Sequence, residues 1–124
     1  MFMEQKRTLS LLVDNTPGLL SRVAGLFSRR GYNIETITAG VTADPRYTRM
    51  TVVLYCSDEM ILEQIKKQLN RMVEVIKVID FTDVFVRMKE ILYIKVFNCS
   101  AADKVELFQI AETFKAKVID YGKD

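Results

Sequence analysis

The sequence predicts an α+β fold of the ferredoxin-like type, in which two helices cover one face of a four-stranded sheet. Over residues 6–80, short segments alternate apolar and polar side chains, and two longer segments repeat apolar residues at three- and four-residue spacing. These segments follow one another in the order βαββαβ. Residues 87–124 repeat the opening strand, helix and strand, which predicts a partial second ferredoxin-like unit (βαβ).

The first strand and the first helix are joined by a short polar turn. Residues 7–13 alternate apolar and small polar side chains, which favours a strand. Thr16 suits the position that caps a helix, and Pro17 suits the first helical position. Apolar residues then recur at helical spacing as far as Phe27, and Gly31 can take the left-handed conformation that ends a helix.

Two strands, a helix and a fourth strand complete the first domain. Residues 33–41 and 48–56 favour strands on either side of a turn at Pro45. Ser57 is predicted to cap a second helix, with Asp58 and Glu59 at the positive end of its dipole, and residues 73–79 alternate as a strand should. The buried stripe predicted for this helix consists of Ile61, Leu62, Ile65 and Leu69.

The second domain is predicted to be incomplete. Strands are expected at residues 90–97 and 117–121, with a helix at residues 101–114 between them. Two parallel strands rarely form a stable sheet alone. We therefore predict domains at residues 6–80 and 87–124, the second being either truncated or docked onto a neighbouring chain.

Composition argues against several classes of protein. The chain has no histidine, which removes the commonest general base and neutral metal ligand, and no carboxylates pair in an apolar setting. We therefore predict neither catalytic residues nor a metal site. The net charge of +2 is too small to indicate nucleic acid or a membrane surface as partner. Cys56 and Cys99 are expected to be buried, reduced thiols of a cytoplasmic protein.

The start of the first helix has the features of a receptor for a free amino acid. The N–H groups of Gly18, Leu19 and Leu20 have no partner within the helix, and the helix dipole favours an anion there. Gly18 leaves room for a carboxylate, and Asn15 offers both hydrogen-bond donors and an acceptor. The alternative interpretation is a simple turn at the start of a helix.

Two residues at the start of the second strand would complete this pocket. Asn33 offers a second amide and Ile34 an apolar side chain, and both would come from a neighbouring subunit if the sheets pair edge to edge. The alternative interpretation of Asn33 is a residue that merely ends the preceding turn.

Several segments of the sequence match one known family. They are residues 15–20, 28–35, 44–45, 49–51, 64–73, 91–96 and 114–120. The segment at residues 28–35, with the sequence SRRGYNIE, is the most specific of them. Together these segments resemble the small subunits of acetolactate synthase, and residues 6–80 resemble their ACT domain.

The resemblance implies a regulatory subunit that is not itself an enzyme. In this family two ACT domains pair as a homodimer, and a branched-chain amino acid, usually valine, binds at their interface as feedback effector. The site would consist of Asn15, Gly18, Leu19 and Leu20 from one chain and Asn33 and Ile34 from its neighbour. The small subunit activates the catalytic large subunit of acetolactate synthase and confers feedback inhibition on branched-chain amino-acid biosynthesis.

The resemblance also implies where the cofactors lie. Thiamine diphosphate, Mg²⁺ and FAD would belong to the catalytic large subunit, with none in this chain. Family members continue for a further strand, helix and strand, which complete a second ferredoxin-like domain.

Three other functions are less consistent with the residues. One is an ACT-domain sensor of another amino acid that regulates a different biosynthetic enzyme. Another is an RNA-binding domain of the same βαββαβ order, but residues 7–13 contain no aromatic side chain on which a base could stack. The third is an enzyme, which the missing histidine and the missing phosphate-binding glycine loop argue against.

Overall fold

The computed structural model describes residues 5–123. Its elements are β1 (Lys6–Asp14), α1 (Leu19–Arg29), β2 (Ile34–Val41), β3 (Tyr47–Tyr55), α2 (Glu59–Asn70), β4 (Val75–Asp80) and α3 (Ala101–Thr113). The chain divides into two units, of which the first extends to Arg87 and the second begins at Met88.

The four strands of the first unit form one antiparallel sheet in the order β2-β3-β1-β4. The two central strands pair along their whole length, with Leu9 opposite Val52 and Leu11 opposite Met50. This strand order, together with the two helices that connect the strands, confirms the predicted ferredoxin-like α+β fold.

The core of the first unit is formed by one face of the sheet and the buried sides of α1 and α2. Successive strand residues point to opposite faces, and the buried apolar positions on the inward face are Leu9, Leu11 and Val13 of β1 and Met50, Val52 and Leu54 of β3. The largest buried side chains are Leu9, Leu11, Phe27, Met50, Leu54, Leu62, Ile65 and Leu69. Burial of each side chain of this size contributes about 1.5–3 kcal/mol to folding.

Helix α1 begins two residues later than the sequence predicts. Gly18 is the N-cap residue and has a left-handed backbone, with φ +78° and ψ 0°, while Pro17 lies in the preceding turn. The prediction of Thr16 as cap and Pro17 as first helical residue is therefore wrong. The chain reverses direction at Gly18 in a conformation that costs glycine little, so the helix cannot extend back to Pro17.

The second unit contains only the helix of the predicted βαβ arrangement. Among the described residues, 90–97 and 117–121 form no strand, so the prediction of two strands there is wrong. A strand is held by hydrogen bonds to a neighbouring strand, and two short parallel strands do not suffice. Helix α3 does form, and a capping box of Ser100 and Asp103 fixes its start.

Both cysteines are free thiols, but they differ in burial. Cys56 is buried in the core as predicted, whereas Cys99 is only half-buried, so its predicted burial is wrong. Within residues 5–123, no helix combines the length and the apolar character that crossing a bilayer requires. The same part of the chain contains no cluster of three or more potential metal ligands.

We expect the rate of amide hydrogen exchange to differ strongly between the two units. Amides of β1 and β3 should exchange at least about a thousandfold more slowly than those of residues 90–97, because core strands open only with global unfolding, at a cost of about 5–15 kcal/mol. In residues 90–97 the side chains of Ile91, Leu92 and Tyr93 are more than three-quarters exposed. Mass spectrometry of exchanged peptides measures both rates, and equal protection would contradict this description of the second unit.

Candidate functional site

A cleft of about 530 Å³ lies beside the start of α1, over the adjoining ends of β2 and β3. Its volume is within the range of about 300–1,000 Å³ that is usual for small-molecule sites. The lining residues are Asn15, Thr16, Gly18, Leu19, Leu20, Ser21, Ala24, Ala39, Thr48 and Met50. None of these side chains carries a charge, and the lining combines hydrogen-bonding groups with small or apolar side chains.

The start of α1 supplies free hydrogen-bond donors to this cleft. The first hydrogen bond of the helix runs from the Arg22 N–H to the Gly18 carbonyl at 3.1 Å. The N–H groups of Leu19, Leu20 and Ser21 therefore have no acceptor within the helix. The first turn contains no acidic residue that could neutralise the positive end of the helix dipole. A Cβ atom added at Gly18 would meet no other atom within 4 Å, so a carboxylate has room to approach.

Asn15 holds the loop before α1 against the turn between β2 and β3. Its Nδ2 donates to the Pro45 carbonyl at 3.0 Å, and its Oδ1 accepts from the Thr48 hydroxyl at 3.2 Å. Its backbone N–H donates to the Arg46 carbonyl at 2.8 Å. The side chain therefore keeps one N–H and one oxygen lone pair for a ligand, fewer than an unengaged amide offers.

The turn that receives Asn15 is itself held by several hydrogen bonds. The Thr42 hydroxyl donates to the Asp44 carbonyl at 2.8 Å, and the Arg46 N–H and guanidinium both donate to the Asp44 carboxylate. The Arg46 side chain is the main reason that the pKa of Asp44 lies below its usual value. Asp44 therefore stays ionised, and the turn keeps this pair, to a lower pH than an isolated aspartate would allow.

Four of the six predicted site residues line the cleft. They are Asn15, Gly18, Leu19 and Leu20. Leu19 directs its side chain into the core and is only 5% exposed, whereas Leu20 is 51% exposed. Asn33 is exposed and Ile34 packs partly against the core, and neither lines the cleft of the same chain. Their predicted contribution from a neighbouring subunit stays a prediction.

The sequence interpretation missed six residues that line the cleft. They are Thr16, Ser21, Ala24, Ala39, Thr48 and Met50. Ser21 and Ala24 could have been found, because they follow Gly18 and Leu20 by three and four residues on one helix face. Ala39 could not, because its place beside Met50 depends on the register between β2 and β3.

Comparison with known proteins identifies relatives along nearly the whole chain. Residues 9–77 match a family model described as an AHAS small subunit-like ACT domain, and residues 89–124 match one described as the small subunit of acetolactate synthase. A probable acetolactate synthase small subunit of Methanothermobacter thermautotrophicus is 41% identical over 94% of this chain and 68% of its own length. The acetolactate synthase small subunit of Bacillus subtilis is 40% identical over 96% of this chain and 69% of its own length.

Solved structures support the same relationship. The crystal structure of an acetolactate synthase small subunit from Thermotoga maritima matches with a TM-score of 0.74 and 32% identity, over 97% of this chain and 74% of that one. The ACT domain of a GTP pyrophosphokinase from Chlorobium tepidum matches with a TM-score of 0.54 at 15% identity, over 63% of this chain and 99% of that one. At that identity the second match shows the fold alone.

Proposed function

We propose that this chain, which belongs to the family of acetolactate synthase small subunits, binds a branched-chain amino acid in the cleft beside α1 and thereby regulates the catalytic large subunit. The subunit is regulatory and not catalytic, as its ACT domain and its relatives establish. In detail, we propose that valine is the effector, that its binding inhibits the holoenzyme, and that the chain activates the large subunit. Thiamine diphosphate, Mg²⁺ and FAD are assigned to that large subunit.

The observation that carries this proposal is a set of free amides that face an uncharged cleft. The N–H groups of Leu19 and Leu20 suit the α-carboxylate of an amino acid, and the Asn15 side-chain oxygen suits its ammonium group. Leu20 and Ala39, which are both exposed, offer apolar surface to an aliphatic side chain. An acidic or basic side chain would be buried here without a partner of opposite charge, which argues against such effectors.

The edge of the sheet supports the proposed homodimer. Strand β2 lies at one edge and contains neither proline nor lysine, the residues that commonly protect an edge against pairing. The opposite edge strand, β4, carries Lys77 and is shorter, with six residues against eight in β2. The register with the neighbouring strand is irregular at both edges, so it does not distinguish them. Strand β2 is therefore the edge that is better suited to pair with a second copy of the chain.

Pairing through β2 would also complete the cleft. If two β2 strands pair antiparallel along their whole length, the partner's Ile34 comes to lie opposite Val41. Val41 pairs with Thr48 on β3, and the Thr48 hydroxyl bonds to Asn15 beside the cleft. The partner's Asn33 and Ile34 would therefore approach the cleft from its open side, which supports the assignment of all six residues to one site.

We expect calorimetry to detect binding of valine, leucine or isoleucine to the purified chain. Valinamide, which lacks the carboxylate, and N-acetylvaline, which lacks the ammonium group, are matched controls and should bind at least about tenfold more weakly, since each loses a charge-assisted hydrogen bond worth about 1.5–3 kcal/mol. Inhibition of the reconstituted holoenzyme should follow the same ligand order. Absence of binding by all three amino acids would contradict the proposal, and preference for another amino acid would indicate a different regulated enzyme.

A further inference from the structure

We infer that Arg22 and Glu74 are positioning residues for the effector loop, defined as residues 15–18 between β1 and α1. This inference rests on the proposed function, because it concerns how the loop is prepared for the amino acid. Neither side chain lines the cleft, so both are expected to act without contacting the ligand.

Two side chains connect the ends of the effector loop. The Arg22 Nη2 donates to the Pro17 carbonyl at 3.4 Å, and its Nε pairs with the Glu74 Oε1 at 3.0 Å. The Glu74 carbonyl accepts from the backbone N–H of Asp14, the residue before the loop, at 2.8 Å. Glu74 thus holds the start of the loop through its backbone and the end of the loop through Arg22.

Helix α1 has no side-chain cap, and the Arg22 contact, which engages the Pro17 carbonyl, leaves the first N–H groups of the helix free. The other two described helices do begin with a side-chain cap: the Met60 N–H donates to the Asp58 carboxylate in α2, and the Asp103 N–H donates to the Ser100 hydroxyl in α3. Gly18 provides none, and its left-handed backbone is set by the turn itself. Glycine also has more conformations to lose than any other residue, so this loop needs an external contact to stay in one of them.

The same pair keeps the surroundings of the cleft electrically balanced. Arg22 begins the hydrogen-bonded part of α1, close to the positive end of the helix dipole, and Glu74 neutralises its charge. Glu74 immediately precedes β4, which leads out of the ACT domain. The contact therefore joins the effector loop to the strand that precedes the second unit in the chain.

Removal of the Arg22 or Glu74 side chain should weaken valine binding moderately and leave the stability of the fold almost unchanged. The Arg22 side chain is 49% exposed and that of Glu74 23%, so solvent screens the pair and its contribution to stability is small. A binding loop that is no longer held in place must be ordered by the ligand, which weakens binding. We expect Arg22→Ala and Glu74→Ala each to weaken valine binding about five- to tenfold, with little change in melting temperature.

The test combines calorimetry and NMR on the full chain. Valine affinity is measured for the wild type, Arg22→Ala, Glu74→Ala, the double variant and Arg29→Ala. Arg29 is the matched control, because it is exposed on the same helix and takes part in no ion pair within residues 5–123. The ¹⁵N heteronuclear NOE of Gly18 and Leu19 without ligand reports the order of the loop independently of binding. Glu74→Gln, which keeps the size of the side chain, replaces Glu74→Ala if that variant does not fold.

The possible results distinguish failure of this inference from failure of the proposed function. The inference predicts weaker binding and lower NOE values in both single variants, a double variant no worse than either, and an Arg29→Ala variant within twofold of the wild type. Wild-type valine affinity and wild-type NOE values in Arg22→Ala would overturn the inference. So would a double variant whose loss of affinity equals the product of the two single losses, because the two residues would then act separately. A wild type that binds no amino acid refutes the proposed function, whereas a wild type that binds valine and variants that match it refute this inference alone.

Discussion

Replacing Gly18 with aspartate should abolish effector binding while the protein stays folded. The new carboxylate would stand at the start of α1, beside the N–H groups that are proposed to receive the carboxylate of the amino acid. The ligand would then meet both steric exclusion and the repulsion of a like charge, which together cost several kcal/mol at short range in a partly dry cleft. Because about 1.4 kcal/mol corresponds to a tenfold change in affinity, valine binding should fall at least about a hundredfold.

The backbone at Gly18 adds a stability cost to this variant. With φ at +78°, any residue with a Cβ atom is strained there, although no atom lies within 4 Å to obstruct the Cβ itself. The strain costs about 1–2 kcal/mol, and aspartate is among the residues that tolerate this conformation best. The favourable position of an acid at the helix start offsets part of that cost, so the variant should fold with a lowered melting temperature.

Gly18→Asn is the matched control for this experiment. Asparagine has nearly the same shape and the same strain at positive φ, but it carries no charge. Calorimetry should rank valine affinity as wild type above Gly18→Asn above Gly18→Asp, with similar melting temperatures for the two variants. In the reconstituted holoenzyme, Gly18→Asp should still activate the large subunit but no longer respond to valine. Near-normal valine affinity in a folded Gly18→Asp chain would show that the ligand does not bind at this helix start.

The fold of the first unit could be predicted because local patterns determine it. Leu9 and Leu11 alternate with polar residues on β1, and Leu62, Ile65 and Leu69 recur at helical spacing on α2; all five are fully buried. The period of each pattern identifies the element and its buried face together. The α1 start was misplaced because Pro17 suits both a first helical position and the turn before it, and only the left-handed backbone of Gly18 distinguishes the two.

The cleft could be predicted only in part, because some of its residues depend on strand register. The backbone amides of Leu19 and Leu20 follow from the start of a helix, which a sequence can indicate. Ala39 lies beside Met50 because β2 and β3 pair in one particular register, with an irregularity between Ile34 and Thr36. A one-residue shift would turn Ala39 to the opposite face, and no local pattern excludes that shift.

The two strands that the sequence predicts for the second unit, and that do not form in the part of the chain that the structure describes, show a different limit of sequence interpretation. Residues 90–97 have the composition of a buried strand, with Ile91, Tyr93 and Val96 among the residues that favour sheets. Composition indicates which segments favour a strand, but a strand forms only where a neighbouring strand is available for hydrogen bonding. The described residues of the second unit do not supply that neighbour, so these apolar side chains stay exposed.

Replacing Thr38 with lysine should convert the proposed homodimer into monomers. Thr38 is exposed near the middle of the β2 edge, so in an antiparallel pair of β2 strands the two copies of this residue would lie almost side by side. Two lysines placed there would repel each other by about 1–3 kcal/mol, which corresponds to a dimer about ten- to a hundredfold weaker. Thr38→Val, which keeps a β-branched side chain without charge, should remain dimeric.

A mixture of charge variants distinguishes lost pairing from a damaged fold. Thr38→Lys and Thr38→Glu should each be monomeric in light scattering at tens of micromolar, yet an equimolar mixture should form dimers, because opposite charges then face each other across the edge. Valine binding should be lost in each variant alone and recovered in the mixture, since the partner's Asn33 and Ile34 are needed to complete the cleft. A Thr38→Lys chain that dimerises as tightly as the wild type would exclude pairing through β2. Monomers that bind valine as tightly as the wild type would instead show that one chain holds the whole site, and the assignment of Asn33 and Ile34 would then be wrong.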